Sequence, residues 1–478
     1  MMDIDWLGEV EKRKEELVRD LQEFLQIPSV LKEEAKEGAP FGPDVAKALG
    51  YILDLSSRMG MRTQNLDGYI GYGEFGDGKE MVGILCHVDV VPPGKGWSVP
   101  PFSGRIIGDR IVSRGASDDK GPTIAALYGA KIVKELGLPL KRRVRLIFGT
   151  DEESEWRCID RYNESEEKPV VGFAPDADFP LIFAEKGLYN VALRFHLGSG
   201  GKTGIHLLSF TSGERSNMVP DYAEARLKME DPRLMERIKE TYLHYLKEKG
   251  YPGEWGVEEG ELKLAVKGVS AHGSLPELGE HAGWRLAAFL NDLTLDQEGS
   301  RFIELLNHLF LDDPKGKKLE IEASDPVMGD LTVNVGVISY PGQGGEGEMV
   351  KINIRYPSST HVEEIRGKIL SKIGPYGGEI VKEDKKLTPH LVPKDHPLVK
   401  TLLRVYRSQT GDTREPLAIG GATYARSLPL GVAFGAAFPG REDVAHQKDE
   451  YILLDDLVKA TAIYAQAIYE LANMELVE

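Results

Sequence analysis

Apolar and polar positions along this chain follow two different periods, and the period changes twice. In the first 180 residues, stretches with apolar positions three and four apart alternate with short, fully apolar runs. The spacing predicts amphipathic helices from about Trp6 to Leu25, ending before Pro28, and from about Asp44 to Met59, ending at Gly60. MVGILCHVDV, Met81 to Val90, and RVRLIFGTDEE, Arg143 to Glu153, are apolar runs that finish in polar residues. That is the pattern of buried strands whose carboxyl ends open into a site. Pro122 opens PTIAALYGAKIVKEL, a helix entered through a proline near its first position. Helices alternating with buried strands predict an α/β domain with a mostly parallel central sheet and helices on both faces.

From about Tyr189 to Glu383 the period becomes two, in LKLAVKG, LTVNVGVISY and MVKINIRYP. Helical stretches at about Pro232 to Lys249, His281 to Leu293 and His361 to Ile373 separate these strands, which predicts an α+β domain. The last hundred residues return to the first style. A helix is expected from about His396 to Thr410, a strand at LGVAFGAAF and a closing helix from about Leu453 to Glu475. The expected organisation is one α/β domain, residues 1–188 and 384–478, interrupted by an inserted α+β domain, residues 189–383.

Composition narrows the function. A chain of 478 residues exceeds what one core usually supports. The net charge of −17 argues against nucleic acid or an anionic membrane as partner. No apolar run approaches the roughly 20 residues that span a bilayer, and the charged start lacks the apolar region of a secretory signal. Two cysteines, Cys86 and Cys158, build no disulfide framework, so a cytoplasmic setting is expected.

Five residues of metal-binding type sit in short, unusual words: His87 in CHVD, Asp118 in SDDKGP, Glu153 in TDEE, Asp176 in PDAD and His446 in AHQKDE. Each alone has an ordinary reading. His87 with Asp89 could be a buried polar pair, Asp118 a helix cap, Asp176 a turn residue and His446 a surface histidine. Together they offer two imidazoles and three carboxylates, with Glu152 as a spare. That inventory suits two divalent ions sharing one carboxylate, with a free carboxylate to carry a proton. Asp89, two residues from His87 on one strand face, would orient its imidazole. Metal-assisted amide hydrolysis is the expected chemistry.

The words CHVDVVPPG, RGASDDKGP, TDEE, GFAPDADFP, EKG, GVSAHGSLPELG, SNMVPD, NIRYP, GGATYAR and HQKDE resemble bacterial dipeptidases of the PepV kind. These belong to the two-metal peptidase family that also holds carnosinases, aminoacylases and desuccinylases. The likeness runs from about residue 5 to the C-terminus. It implies that His87 and Asp176 hold one ion, Glu153 and His446 the other, and that Asp118 bridges them across a cis Asp118–Asp119 peptide. Glu152 would be the general base. The ions would be zinc, with manganese or cobalt as alternatives that oxygen-rich ligation does not separate.

The resemblance makes the inserted domain a lid. His272 of VSAHGS would donate a hydrogen bond to the tetrahedral oxyanion, and Asn217 and Arg355 would hold the substrate, Arg355 by forking onto a free carboxylate. Gly420, Gly421 and Thr423 of IGGATYAR would bring backbone groups close to it. As ordinary residues, His272 could be a turn histidine, Asn217 a cap, Arg355 an outward strand residue and IGGATYAR a tight turn. Small dipeptides are the implied substrates, with N-acyl or N-succinyl amino acids as the alternative. A lid of this length implies a monomer that closes by bending near residues 189 and 383. Two departures stand out: His281 occupies a position commonly Asn after the lid histidine, and Glu155 one commonly Gly.

Overall fold

The structure, a computed structural model, describes residues 4–32, 34–198, 204–341 and 349–475. The chain forms two compact units, Met1–Ala184 with Leu391–Ala418 and Thr423–Glu478, and Glu185–His390 with Ile419–Ala422. The passages between units thus lie at 184/185 and 390/391, where the sequence pattern suggested 188/189 and 383/384. The strands Gly187–Phe195 and Gly378–Leu387 pair along most of their length, which carries both into one sheet.

The first unit is built on a sheet whose main strands are β1 (Arg62–Leu66), β2 (Ile70–Phe75), β3 (Met81–His87), β4 (Arg143–Gly149), β5 (Val171–Ala174), β6 (Ile182–Glu185) and β7 (Gly431–Ala433). They lie in the order β1-β2-β4-β3-β5-β7-β6. Only the centre is parallel: β4–β3, β3–β5 and β5–β7 run together. The pairs β1–β2, β2–β4 and β7–β6 are antiparallel. Burial explains the division. All of β3, β5 and β7 and nearly all of β4 are buried, as strands covered on both faces must be, whereas polar β1 is mostly exposed at the edge.

The helices that matter for the site are α1 (Pro43–Arg58), α2 (Lys120–Glu135), α3 (Arg157–Ser165) and α4 (Leu454–Asn473). Alternate positions of β2 face opposite ways. Gly71 and Gly73 lie against Leu53 and Ser56 of α1, while Tyr72 stacks under Arg145, whose guanidinium donates to Tyr162 of α3. Helices therefore lie on both faces. Where α2 crosses α4, a Cβ on Gly129 would stand 2.8 Å from the Ala465 nitrogen, so only glycine permits that approach.

Two expected elements differ. The helix expected from Trp6 to Leu25 is broken into Trp6–Glu11 and Lys14–Leu25. The Arg13 side chain takes the Glu9 carbonyl at 2.7 Å and its amide turns to Val10 instead, which tightens the turn and ends the first helix. The strand expected over LGVAFGAAF divides into Gly431–Ala433 and Ala436–Ala437 at Gly435, whose φ is +73°. Among the described residues no helix is long and apolar enough to cross a membrane.

The second unit is an antiparallel sheet of eight strands. Its order is Gly253–Glu258, Glu261–Lys267, Tyr222–Lys228, His206–Ser212, Thr332–Tyr340, Val350–Tyr356, Gly187–Phe195 and Gly378–Leu387. The alternation read from the sequence is real: Ala223, Ala225 and Leu227 are buried between more exposed neighbours. They join one core with Leu262, Leu264, Ile238, Leu286, Phe302 and Ile369, drawn from neighbouring strands and four helices.

Candidate metal centre

Three of the site-bearing words hang from the carboxyl ends of the parallel strands. β3 ends at His87, β4 runs into Thr150–Glu153 and β5 into Pro175–Asp176, the end at which open α/β sheets present their sites. Asp118 lies just before α2, and His446 in the loop that precedes α4. The Asp118–Asp119 peptide is cis.

The central observation concerns Asp118. Its Oδ1 is 3.0 Å from His87 Nε2, and its Oδ2 is 3.0 Å from His446 Nε2. One carboxylate thus serves two imidazoles, one oxygen each. Glu153 lies 3.1 Å from His446 Nε2, and Asp176 Oδ2 lies 3.7 Å from His87 Nε2. Ligands around a tetrahedral zinc, with bonds near 2 Å, stand about 3.3 Å apart, so these separations are those of atoms able to share an ion. Possible donor atoms converge within 4.8 Å in two groups, His87 with Glu152 and Asp176, and His87 with Asp118 and Glu153.

The surroundings hold these groups in place. His87 is fully buried, and its Nδ1 bonds the main-chain oxygen of Asp89 at 2.9 Å. With the proton on Nδ1, the lone pair stands on Nε2. The Asp89 side chain was expected to orient this ring, but its nearer oxygen is 3.5 Å away. Its other oxygen accepts from the Glu153 amide at 3.0 Å, fixing the ligand loop instead.

Charge gives an independent test of fit. Burial pushes the Glu152 carboxyl up to about 8, helped by Glu153, Asp118 and Asp89 and opposed by His87. Burial and the neighbouring acids also raise Asp176 and Glu153. Burial resists charge on the imidazoles too, yet Asp118 and Glu153 hold His446 up to about 11. A buried excess of carboxylate beside two imidazoles is a place where divalent cations would relieve the cost of ionisation. The residues fit a pair of such ions.

Several contributors escape the motifs. Glu450 is fully buried and accepts from the amides of Ser117 and Asp118 at 2.8 and 3.1 Å, from Gly115 N at 3.1 Å and from Arg114 Nη1 at 2.6 Å. It anchors the loop that aims Asp118. Asp119 accepts from the His87 amide at 3.1 Å. Trp156 and Tyr424 pack beside the Glu pair. The acid of HQKDE and the second Asp of SDDKGP were visible as letters, but nothing in their spacing separates an anchor from a ligand.

The second unit gathers its own group of expected residues. Met218 and His272 form an isolated bridge, and the Gly273 amide donates to the Asn217 oxygen at 2.7 Å. His272 Nδ1 lies 2.7 Å from Ser274 Oγ, and a Cβ on Gly420 would meet the Ser274 Cβ at 2.9 Å. Arg355 is buried, donating through Nε to Asn353 Oδ1 and through Nη1 to the Gly420 oxygen, at 2.9 and 3.0 Å. Asn217, His272, Arg355 and Gly420 are therefore neighbours, with Gly421 next in the chain. Thr423 falls in the first unit, where its hydroxyl accepts from the Ala425 amide and caps a short turn. His281 performs the work of an amide side chain: Nδ1 accepts from the Trp284 amide and Nε2 reaches the Val335 oxygen at 2.8 Å.

Comparison with known proteins gives the family. The chain is 50% identical over 473 residues to "Putative dipeptidase YtjP" of Bacillus subtilis (strain 168), covering 98% of this chain and 100% of that protein. It is 42% identical, with the same coverage, to "Putative dipeptidase SAB1611c" of Staphylococcus aureus (strain bovine RF122 / ET3-1). Its fold resembles the crystal structure of human carnosine dipeptidase 1 with a TM-score of 0.55 at 14% identity, over 98% of this chain and 99% of that one. The sequence profile of peptidase family M20/M25/M40 matches residues 83–470. The chain belongs to that family, and it is a peptidase-type hydrolase.

Proposed function

We propose that this enzyme is a dipeptidase that cleaves the amide bond of small dipeptides bearing a free C-terminal carboxylate. The observation that carries the reading is the Asp118 carboxylate, with one oxygen on each of two histidines. His87 and Asp176 would hold one divalent ion, Glu153 and His446 a second, and Asp118 would belong to both. Zinc suits the mixed nitrogen and oxygen donors, and manganese or cobalt would also be accepted. Such ions, when bound, polarise the scissile carbonyl and make water acidic enough to be deprotonated near neutral pH.

The chain's own residues do the rest. Glu152 takes the proton of the attacking water on its carboxylate and delivers it to the departing amine. His272 donates a hydrogen bond to the oxygen that gains charge. Arg355 and Asn217 bind the substrate's carboxylate end, with the Gly420–Gly421 backbone beside it. The names of the relatives support a dipeptide substrate. Cys86 and Cys158 are free and buried, in keeping with a cytoplasmic setting.

Assaying the purified enzyme on a small dipeptide panel, against N-acetyl and N-succinyl amino acids, tests the reading. Dipeptides should be hydrolysed, activity should vanish with a chelator, and zinc, manganese or cobalt should restore it. Turnover of the N-acylated amino acids without the dipeptides would replace the dipeptidase by a related deacylase.

A further inference from the structure

We infer that Trp156 is a positioning residue for Glu152, holding the proposed base through its main chain; this rests on the base role given above. Among the described residues no hydrogen bond is made by the Glu152 carboxylate itself. With no side-chain tether, its aim is set by its backbone and by what holds that backbone. The Trp156 indole does so directly: Nε1–H donates to the Glu152 carbonyl oxygen at 2.7 Å.

The loop is built to keep the indole there. Trp156 sits in the left-handed region, at φ +61° and ψ +24°, which a bulky side chain rarely adopts. Its amide donates to the Asp151 oxygen at 3.0 Å, closing the loop around the two acids. The Asp151 carboxylate then accepts from the Arg157 amide at 2.9 Å and from the Ser154 hydroxyl. On the far side the indole meets the Tyr424 ring edge-on, at 5.2 Å between centroids. Tyr424 is itself fully buried, its hydroxyl 2.8 Å from Cys158 Sγ and its ring filling the space a Cβ on Gly149 would need. The indole is therefore wedged between a rigid ring and the carbonyl of the base. Residues strained in this way collect where a side chain must be aimed.

The test compares Trp156→Phe, which keeps a ring and removes the N–H, with the native enzyme on the best substrate of the panel above. Trp156→Phe should lower kcat by roughly 10- to 100-fold, the scale of a small misplacement of a catalytic group, with KM and metal content unchanged. In a Glu152→Gln background the same change should have little further effect, because both act through one group. An unchanged kcat, or a loss that multiplies in full with that of Glu152→Gln, overturns the inference. If Trp156→Phe does not fold, replacing the indole by the isosteric benzothiophene removes the N–H alone, and the same outcomes apply. Near-native turnover by Glu152→Gln would instead defeat the base role itself, so the two failures are distinguishable.

Discussion

Glu152 and Glu153 are neighbours in sequence with different surroundings: Glu153 faces His446 and its amide is held by Asp89, whereas the Glu152 carboxylate makes no hydrogen bond among the described residues. Glu152→Gln should therefore keep the metal content and lower kcat by roughly 10²- to 10⁴-fold, the usual worth of general-base assistance; metal analysis beside steady-state kinetics checks both halves. The five candidate ligands could be picked out in the sequence because each stands in a short word rich in acids or imidazole, and in the structure their side chains lie near one another. His281 could not, since a substituted letter does not reveal whether its contacts survive. In the structure its burial lowers the imidazole to about 4, against the Val335 oxygen, whose hydrogen bond raises it. The folded value lies below the ordinary 6.5, so the unfolded chain binds more protons between these pH values. Stability is whole above about pH 6.5 and falls as the pH drops toward 4, with this residue adding at most about 1.4 kcal/mol per pH unit. His281→Asn should flatten that part of the curve, measured by denaturant unfolding from pH 7 to 4; an unchanged slope would show that the ring is free to take a proton.

At the level of elements, periodicity located most helices within a few residues, and the strands where burial or alternation is strongest, such as Met81–His87, Arg143–Gly149, Thr332–Tyr340 and Val350–Tyr356, while strands such as Ile70–Phe75 and Tyr222–Lys228 were not picked out. Local chemistry overrode it where side chains intervened, as at Arg13. The helix Gln297–Leu309 was not expected at all, since Gly299 and Ser300 in its first turn weaken the signal that Phe302, Leu305 and Leu309 supply. The loop carrying Asp118 shows how elements far apart in sequence depend on each other. Glu450 neutralises the buried Arg114 and accepts from three main-chain amides between Gly115 and Asp118. Glu450→Ala should strand the Arg114 charge and cost about 3–5 kcal/mol, the usual result of removing one partner of a buried ion pair. Urea unfolding of the metal-free protein measures it, and a loss below 1 kcal/mol would mean that Arg114 finds another partner.

For the whole molecule, the expectation from lid length is a monomer in which His272 serves the metal centre of its own chain. Mixing inactive Glu152→Gln protein with inactive His272→Ala protein should then restore no activity, whereas recovery on mixing would mean that the histidine is supplied across subunits. The two-unit organisation was legible because the hydrophobic period changes at its edges, while the transfer of Ile419–Ala422 to the second unit was not, since four residues carry no period. One further property follows from chain order. His446 and Glu450 come from the last tenth of the sequence, and His446 meets a carboxylate 293 residues earlier. A growing chain that lacks them would have the proposed base and four of the five proposed ligands, but neither the fifth nor the side chain that ties down the Asp118 loop. On the ligand set proposed above, the centre would stay incomplete until His446 and Glu450 have been added to the growing chain.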